Sequence, residues 1–325
     1  MDDANLLSEN QSLPVTSRIS GRVLWPLLTL ALYLSLIYAF QPAFFSSTNL
    51  RSMLYYTCLV VPAVMGVHLL ILLGMFDLSV GAVAAAAGVV MAKAVSVGFS
   101  LPAAVALGLC VGLLFGFLNW LVVSKLNISA LIGTLITMGA ARAVSVGTTE
   151  GVTLTGLPPT FAHLAQGLTA GIRNAVLIGA ALVVMVEFLS HKHIVFRRFY
   201  QIGSNRTAAV QSGINVSLLD FTAFALSGMG AAFAGLFQAS RTLSASPHEF
   251  PDLALDCIAA CVIGGDNLSG GSGQAIGAFM GMLMVVVSRN LVILAGINVY
   301  WQDLAIAVVL FGAVLLNRFL RANEI

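Results

Sequence analysis

The sequence predicts an all-α membrane protein of about ten transmembrane helices with one broken, glycine-rich segment. Of its 325 residues, 59% are hydrophobic and only 9% are charged, whereas a soluble domain has roughly 45–50% apolar and about 25% charged residues. The apolar residues form continuous runs of about 20 residues, the length at which an α-helix crosses the hydrocarbon core of a bilayer. A water-soluble globule is therefore excluded, and the short alternating strands of a membrane barrel are not seen.

The apolar runs mark ten candidate spans, of which the eighth is short. They cover residues 23–40, 52–74, 79–97, 101–124, 128–146, 172–190, 219–241, 254–264, 273–295 and 300–319. The first run is longer than the roughly 7–15 apolar residues of a cleavable signal, so we expect it to remain as a membrane anchor. The chain is accordingly divided into a polar cytoplasmic tail, residues 1–21, and a single polytopic domain, residues 22–325.

The basic residues set the expected orientation. Cytoplasmic loops carry an excess of Lys and Arg, and with the N-terminus inside most of the 15 basic residues fall on the cytoplasmic side. Those residues are Arg18, Arg22, Lys125, Lys192, Arg197, Arg198, Arg206, Arg318 and Arg321. The others lie on the far side or within spans: Arg51, Lys93, Arg142, Arg173, Arg241 and Arg289. An even number of spans then places both termini in the cytoplasm.

A carboxylate stands between the second and third runs with almost no connecting loop. Because an ionisable group near hydrocarbon is costly and usually faces a cavity or a partner, Asp77 and the nearby Ser79 are candidates for a solute path. Alternatively, Asp77 caps the helix that begins near residue 79, its carboxylate accepting hydrogen bonds from free backbone N–H groups. The sequence leaves both interpretations open.

Polar side chains inside other spans are further candidates for the solute path. A few amides, hydroxyls and aromatic faces in an apolar wall suit a hydroxyl-rich solute, and such residues are Asn119, Trp120, Thr134 and Thr137. The alternative for each is ordinary hydrogen bonding between helices, worth about 0.6 kcal/mol per contact.

The short run beginning near Asp256 leads into a glycine-rich segment that contains Gly264, Gly265, Gly270 and Gly271. Non-helical backbone at membrane depth is tolerated only where protein or a watery cavity satisfies its polar groups. We therefore expect the chain to turn back here within the protein, near the cytoplasmic face. A nucleotide-binding loop is excluded, because no Lys directly follows the last glycine and no strand precedes the segment.

The largest polar segment on the cytoplasmic side covers residues 191–218. Its small residues Ala208, Ala209 and Gly213 lie at helical spacing and would let another surface approach the backbone closely. One interpretation is a short helix that docks into a groove of a partner. The other is an interfacial helix held on anionic lipid by basic side chains. The residues alone favour neither.

The sequence shows no catalytic or metal-binding constellation. Its five His residues are dispersed, and its four Cys residues fall inside apolar runs, where a thiol behaves as a small hydrophobe. The net charge of +2 excludes the strong positive field of a nucleic-acid-binding protein. We therefore predict that the chain is not an enzyme on its own and binds neither a metal nor a cofactor.

Five motifs, in this order and at these spacings, together resemble one known family. They are FDLSVGAVAA at 76–85, GFLNWLVV at 116–123, ISALIGTLITMGAARAV at 128–144, FRRFYQIGSNRTAAVQSGINV at 196–216 and LDCIAACVIGGDNLSGGSGQAIG at 255–277. They are similar to the membrane permease subunit of bacterial ABC importers for sugars, of the ribose and galactose type. Two positions depart from its pattern, Ala254 where the family commonly has Glu and Ser204 where it has a second Gly.

The resemblance implies a multi-pass protein of the bacterial inner membrane with several partners. A second copy or a homologous permease would complete the pathway, a cytoplasmic ABC ATPase holding ATP and Mg²⁺ would drive it, and a periplasmic binding protein would deliver the solute. The loop around Tyr200–Ile214 would be the coupling helix that seats in the ATPase. Its candidate residues are Arg198, Tyr200, Gly203, Asn205, Ala208, Ala209 and Gly213.

The predicted cargo is a monosaccharide or a similar small polar solute. One alternative function is a stand-alone secondary carrier, for which an inverted repeat and buried titratable residues would be expected. A second alternative keeps the ATPase but carries a signalling furanose, a nucleoside or a branched-chain amino acid.

Overall fold

A computed structural model describes residues 42–298 without a gap, together with residues 27–28, 30–35, 37–38, 300–301, 304, 307–308 and 311–312. The predicted tail at 1–21 and much of the first and tenth runs therefore lie outside the described residues. Within the described part, the regular secondary structure is helical apart from two pairs of two-residue strands. The prediction of an all-α membrane protein is confirmed at this level, whereas the count of ten helices stays a prediction.

Between residues 42 and 298, the α-helices follow one another along the chain as eleven segments of unequal length. They are α1 Ser47–Leu72, α2 Val80–Ser96, α3 Leu101–Trp120, α4 Ala130–Thr149, α5 Ala162–Ala165, α6 Asn174–Lys192, α7 Ile194–Ser204, α8 Arg206–Gln211, α9 Val216–Thr242, α10 Leu253–Gly264 and α11 Ala275–Leu294. Helix α3 continues directly into a π-helical turn at Leu121–Lys125, and 3₁₀ turns lie at Pro42–Phe45 and Pro159–Phe161.

The strands join loops at one end of the bundle. Strand β1, Leu154–Thr155, pairs antiparallel with β4, Ser244–Ala245, and β2, Leu168–Thr169, pairs antiparallel with β3, Ile172–Arg173.

Six of the described helices are long and apolar enough to cross a membrane: α1, α3 with its π-helical turn, α4, α6, α9 and α11. Helices α2 and α10 are apolar but shorter, with 17 and 12 residues. The predicted runs between 52 and 295 each coincide with one of these eight helices, within a few residues. The largest shift is at α1, which starts at Ser47 because the Ser46 side chain accepts a hydrogen bond from the Asn49 N–H and caps it.

Helix α9 lies at the centre of the bundle and packs against α1, α2 and α3. Each contact has a glycine of α9 at its closest point, since a Cβ at Gly228, Gly230 or Gly235 would overlap a backbone carbonyl of the facing helix. Small residues permit this close backbone approach between helices in a membrane. The glycines of α9 therefore allow these three helices to pack closely against it.

The short helices α2 and α10 both begin inside the bundle, and their first turns meet. A Cβ at Gly81, the second residue of α2, would overlap the carbonyl oxygen of Phe250, three residues before α10. Helix α10 then lies along α11, with Gly264 against Gly277 at one end. The segment 243–252, which links α9 to α10, therefore runs within the helical layer.

Candidate functional site

Asp77 is the centre of a buried polar cluster, which we call the Asp77 network. The carboxylate is 1% exposed. Its Oδ1 accepts hydrogen bonds from the backbone N–H of Ser79 at 2.9 Å and from the Ser79 hydroxyl at 2.5 Å, and its Oδ2 accepts one from the Ser227 hydroxyl at 2.8 Å. The segment before α2 is thereby tied to the central helix α9.

The amide of Asn119 extends this network to two more helices. Its Nδ2 donates to Ser79 Oγ at 2.9 Å and to Asp77 Oδ1 at 3.3 Å, and its Oδ1 accepts from the hydroxyl of Thr137 in α4. One turn earlier on α4, Thr134 Oγ1 accepts from the backbone N–H of Leu78 at 3.1 Å. Five of the six residues proposed for a solute path thus converge on one point. In this conformation they are buried and bonded to one another.

The same geometry bears on the capping interpretation of Asp77. Its carboxylate accepts the N–H of the residue two positions on, an Asx turn that satisfies a donor at the start of α2. A helix cap would bond only to the start of its own helix, whereas the Asp77 carboxylate also bonds to Asn119 of α3 and Ser227 of α9. The carboxylate therefore joins α3 and α9 while it starts α2.

Trp120, the sixth residue, contributes to a different contact. Its Nε1 donates to the carbonyl of Ser217 at 2.9 Å, its ring lies beside Phe221, and Lys125 Nζ lies 5.3 Å from the ring centroid. The indole therefore joins the end of α3 to the first turn of α9, apart from the Asp77 network.

Residues Ile194–Ile214 form two short helices joined at Asn205, and we call them the coupling segment. Asn205 ends α7 and caps α8, with its side-chain oxygen accepting from the Ala208 N–H at 2.9 Å. A cavity of about 360 Å³ lies between the two helices. Tyr200, Asn205, Ala208 and Ala209 line it. The sequence had indicated a single short helix, and the cap at Asn205 explains why there are two.

The remaining predicted residues of the coupling segment differ in their surroundings. Gly213 follows α8 with a φ of +76° and open space around its Cα, and Arg198 is partly exposed on α7. A Cβ at Gly203, in contrast, would overlap the carbonyl oxygen of Leu72 and the backbone nitrogen of Gly271. Gly203 thus packs against the bundle, whereas Gly213 lies on an open surface.

Three contacts fasten the coupling segment to the bundle. The Tyr200 hydroxyl donates to the carbonyl of Gly273 at 3.1 Å, and Gly203 seats against the end of α1. At the other side, the Arg206 guanidinium pairs with the fully buried Asp220 carboxylate of α9. Asp220 also accepts from Ser124 Oγ, in the π-helical turn of α3, at 2.9 Å. The segment therefore touches α1, α9 and the glycine-rich turn, and it is linked to the π-helical turn after α3 only through Asp220.

The glycine-rich turn reverses the chain between α10 and α11. Gly265, Gly270 and Gly271 have φ values of +101°, +87° and +77°, conformations that L residues rarely adopt, and the Gly271 N–H donates to the carbonyl of Leu72 at 2.9 Å. Asp256, which the sequence had grouped with these glycines, lies at the other end of α10. There it accepts a hydrogen bond from Arg289 of α11 at 2.8 Å.

Two pairs that the sequence analysis did not identify lie at the same end of the bundle as the coupling segment. One is Arg206 with Asp220. The other is His68 of α1, whose Nδ1 lies 2.6 Å from Asp266 Oδ2 in the glycine-rich turn. Cys261 is nearby, and the three possible metal ligands lie within 4.8 Å of one another. Since the imidazole and carboxylate bond directly, this cluster is a hydrogen-bonded tie between α1 and the turn.

A family model described as the permease component of a branched-chain amino acid transport system matches residues 49–316. A probable ABC transporter permease, y4mJ of Sinorhizobium fredii, is 38% identical over 80% of this chain and 78% of its own length. No solved structure matches.

Two further relatives match nearly the whole chain. The ribose import permease RbsC of Haemophilus influenzae is 32% identical over 92% of this chain and 94% of its own length. The autoinducer 2 import system permease LsrC of an Enterobacter species is 30% identical over 93% of this chain and 88% of its own length. The resemblance found in the sequence is confirmed. The chain is a transport subunit and not an enzyme, a multi-pass protein of the inner membrane, and it belongs to the family of permease components typified by branched-chain amino acid transport systems.

Proposed function

We propose that the chain is the permease subunit of an ATP-driven importer for a monosaccharide or a similar small polar solute. The observation that carries the proposal is the match to a ribose permease over 92% of this chain and 94% of the relative. A relative named for autoinducer 2 import matches almost as far. A signalling furanose therefore remains the alternative cargo, with a nucleoside or a branched-chain amino acid behind it.

The partners in this proposal are a cytoplasmic ABC ATPase, a second permease copy or a homologous permease, and a periplasmic solute-binding protein. The geometry of the coupling segment supports the first of these. Ala208 and Val210 are exposed on α8, Gly213 has open space around it, and the cavity between α7 and α8 faces outward. ATP and Mg²⁺ would be bound by the ATPase and not by this chain.

The orientation follows from the same assignment. If the coupling segment lies in the cytoplasm, the glycine-rich turn and the end of α1 lie there too, because they contact it. Membrane lipid surrounds the bundle, ten helices cross or enter it, and both termini lie in the cytoplasm, with residues 1–21 forming a polar tail and residues 22–325 the permease domain.

The coupling segment is also placed to transmit motion. When the ATPase binds ATP and closes, it would displace α7 and α8, and their contacts with α1 and α9 would pass the displacement to the spanning helices. Rigid-body rocking of packed helices is the usual form of such a change.

The first test is a pull-down of the tagged chain from its own membrane in mild detergent, with bound proteins identified by mass spectrometry. We expect an ABC ATPase to co-purify with the wild type and to be lost with Gly213→Trp, because the indole would occupy the open surface after α8. The matched control is Gly171→Trp. Gly171 has a φ of +78° and open space too, but it lies between β2 and β3 on the opposite side.

The alternatives give distinct outcomes. An ATPase that binds Gly213→Trp as well as wild type would contradict the role of the coupling segment. A chain that never brings down an ATPase, but accumulates solute by itself in vesicles with an ion gradient, would be a secondary carrier.

A further inference from the structure

A cavity of about 380 Å³ lies between α2, α4 and the segment 243–252. Small-molecule sites commonly have about 300–1,000 Å³. Its lining includes Ala85, Arg142, Val146, His248, Glu249 and Phe250. None of these is part of the Asp77 network or of the coupling segment.

The segment 243–252 reaches this cavity at membrane depth. Helix α10 has 12 residues, about 18 Å, against the roughly 30 Å of a bilayer core. Its first turn lies level with Arg289, since Asp256 and Asp252 both pair with that side chain, and α11 continues to Leu294. Irregular backbone at such depth occurs only where it is buried in protein or lines a watery cavity.

The backbone of this segment is held in an unusual shape. Leu243 and Phe250, near its two ends, have φ values of +51° and +60°, which β-carbon-bearing residues avoid at some energetic cost. The contact of Phe250 with Gly81 pins the second of them against α2. Strain of this kind persists where the surroundings impose it, and it is concentrated at binding sites.

The residues that line the cavity combine opposite charges with an aromatic residue. Arg142 and His248 are exposed, although Arg142 lies in a helix otherwise apolar enough to span a membrane. Glu249 is half-buried and accepts from Gln238 Nε2 at 2.9 Å through Oε1. A guanidinium donates hydrogen bonds, a carboxylate accepts them, and a ring offers an apolar face. The charges of Arg142 and Glu249 offset one another, so an uncharged polar solute fits better than an ion.

We infer that this cavity is a solute site on the translocation path and that it takes an uncharged, hydroxyl-rich molecule. Arg142 donates to the hydroxyl oxygens of the solute, Glu249 accepts from its hydroxyl groups, and Phe250 contacts its C–H face. This inference rests on the proposed function and assigns the path to residues distinct from the Asp77 network.

The test uses the importer purified with its own ATPase and binding protein and reconstituted in vesicles. The probe is whichever of labelled D-ribose, D-galactose and D-xylose the wild type accumulates. We expect kcat/KM for import to fall about tenfold in Arg142→Gln and in Glu249→Gln, the loss expected from one hydrogen bond to a charged group. ATPase activity stimulated by the binding protein should persist. Lys93→Gln, which removes an exposed charge at the end of α2, is the matched control and should import at the wild-type rate.

Water access is measured separately with a charged, membrane-impermeant thiol reagent on His248→Cys in a Cys110→Ala background. We expect labelling that the accumulated sugar slows. Val184→Cys, 67% exposed on α6, should resist the reagent because it faces lipid.

Three results would overturn the inference. The first is that His248→Cys stays unlabelled, and the second is that Arg142→Gln and Glu249→Gln both import sugar like the wild type. Either result leaves the proposed function intact. In the third, the wild type accumulates none of the three sugars, which would contradict the proposed cargo together with this site. Co-purification of the ATPase would still decide whether the chain is an importer subunit.

Discussion

Replacing Asp77 by Ala separates the two roles that its sequence position allows. The substitution removes both carboxylate oxygens and leaves three donors without their acceptor: the Ser79 N–H, the Ser79 hydroxyl and the Ser227 hydroxyl. Asn119 keeps its bond to Ser79 Oγ. Asp77→Asn, in contrast, retains Oδ1 and with it the two bonds from Ser79.

The expected loss of stability follows from these contacts. A buried donor left without an acceptor costs about 1–3 kcal/mol, so three such donors, two of which are hydroxyls that can rotate, give about 3–6 kcal/mol. A helix cap alone would give only about 0.5–2 kcal/mol. For Asp77→Asn we expect a loss of stability of about 1 kcal/mol. The amide lacks the negative charge, but its oxygen still accepts the hydrogen bonds from Ser79 at the start of α2.

The assay is the midpoint temperature of thermal unfolding in detergent, followed by the loss of monodisperse protein. A loss of 1 kcal/mol lowers the midpoint by roughly 2 °C for a chain of this length. The midpoint should therefore be about 6–12 °C lower in Asp77→Ala and about 2 °C lower in Asp77→Asn. Ser52→Ala, which removes an exposed hydroxyl bonded only within its own helix, should move by less than about 1 °C. If Asp77→Ala melts like wild type and instead changes which solutes are imported, the network is a solute path and the stability argument is wrong.

Two further predictions concern the attachment of the coupling segment. Gly203→Ala should reduce ATP-driven import at least several-fold, since its Cβ would overlap the Leu72 carbonyl and push α7 away from α1. The control is Gly139→Ala, because Gly139 has open space around it. Equal import by the two variants would contradict the packing argument. Arg206→Gln should leave the buried Asp220 carboxylate with one fewer donor and destabilise the protein by about 1–3 kcal/mol, and Asp220→Asn should suppress most of that loss in the double variant. Additive losses in a double-mutant cycle would show that the Arg206–Asp220 pair is not coupled.

Much of the helical framework was predictable because apolar runs are a local property of the chain. The eight runs between 52 and 295 needed only composition and length, and the glycine-rich segment was identifiable because its glycines lie close together in the sequence. Where local chemistry intervened, the boundaries differed: the Ser46 cap starts α1 early, and the Asn205 cap divides the coupling segment into two helices.

The candidate site was predictable only in its residue types. Asp77, Asn119 and Thr137 were selected as polar groups in apolar runs, but no periodicity indicates that Asp77 meets Ser227, 150 residues away. Asp256 was grouped with the glycines that follow it because the two are close in sequence, whereas a helix places them at its opposite ends. Arg206 and Asp220 were missed as a pair since each reads as an ordinary flanking charge.

The contact of Gly203 with Leu72 and Gly271 has a mechanical consequence. Main chain meets main chain there, and the Gly271 N–H bonds to the Leu72 carbonyl, so no flexible side chain lies between the three segments. A joint of this kind has little slack, because rotamer changes, the usual means by which packed surfaces absorb small displacements, are not available to it. A push on α7 is therefore expected to move the end of α1 and the glycine-rich turn by the same distance, as one stiff body. Its rate would then be set by collective helix motion on the microsecond-to-millisecond scale and not by local side-chain rearrangement.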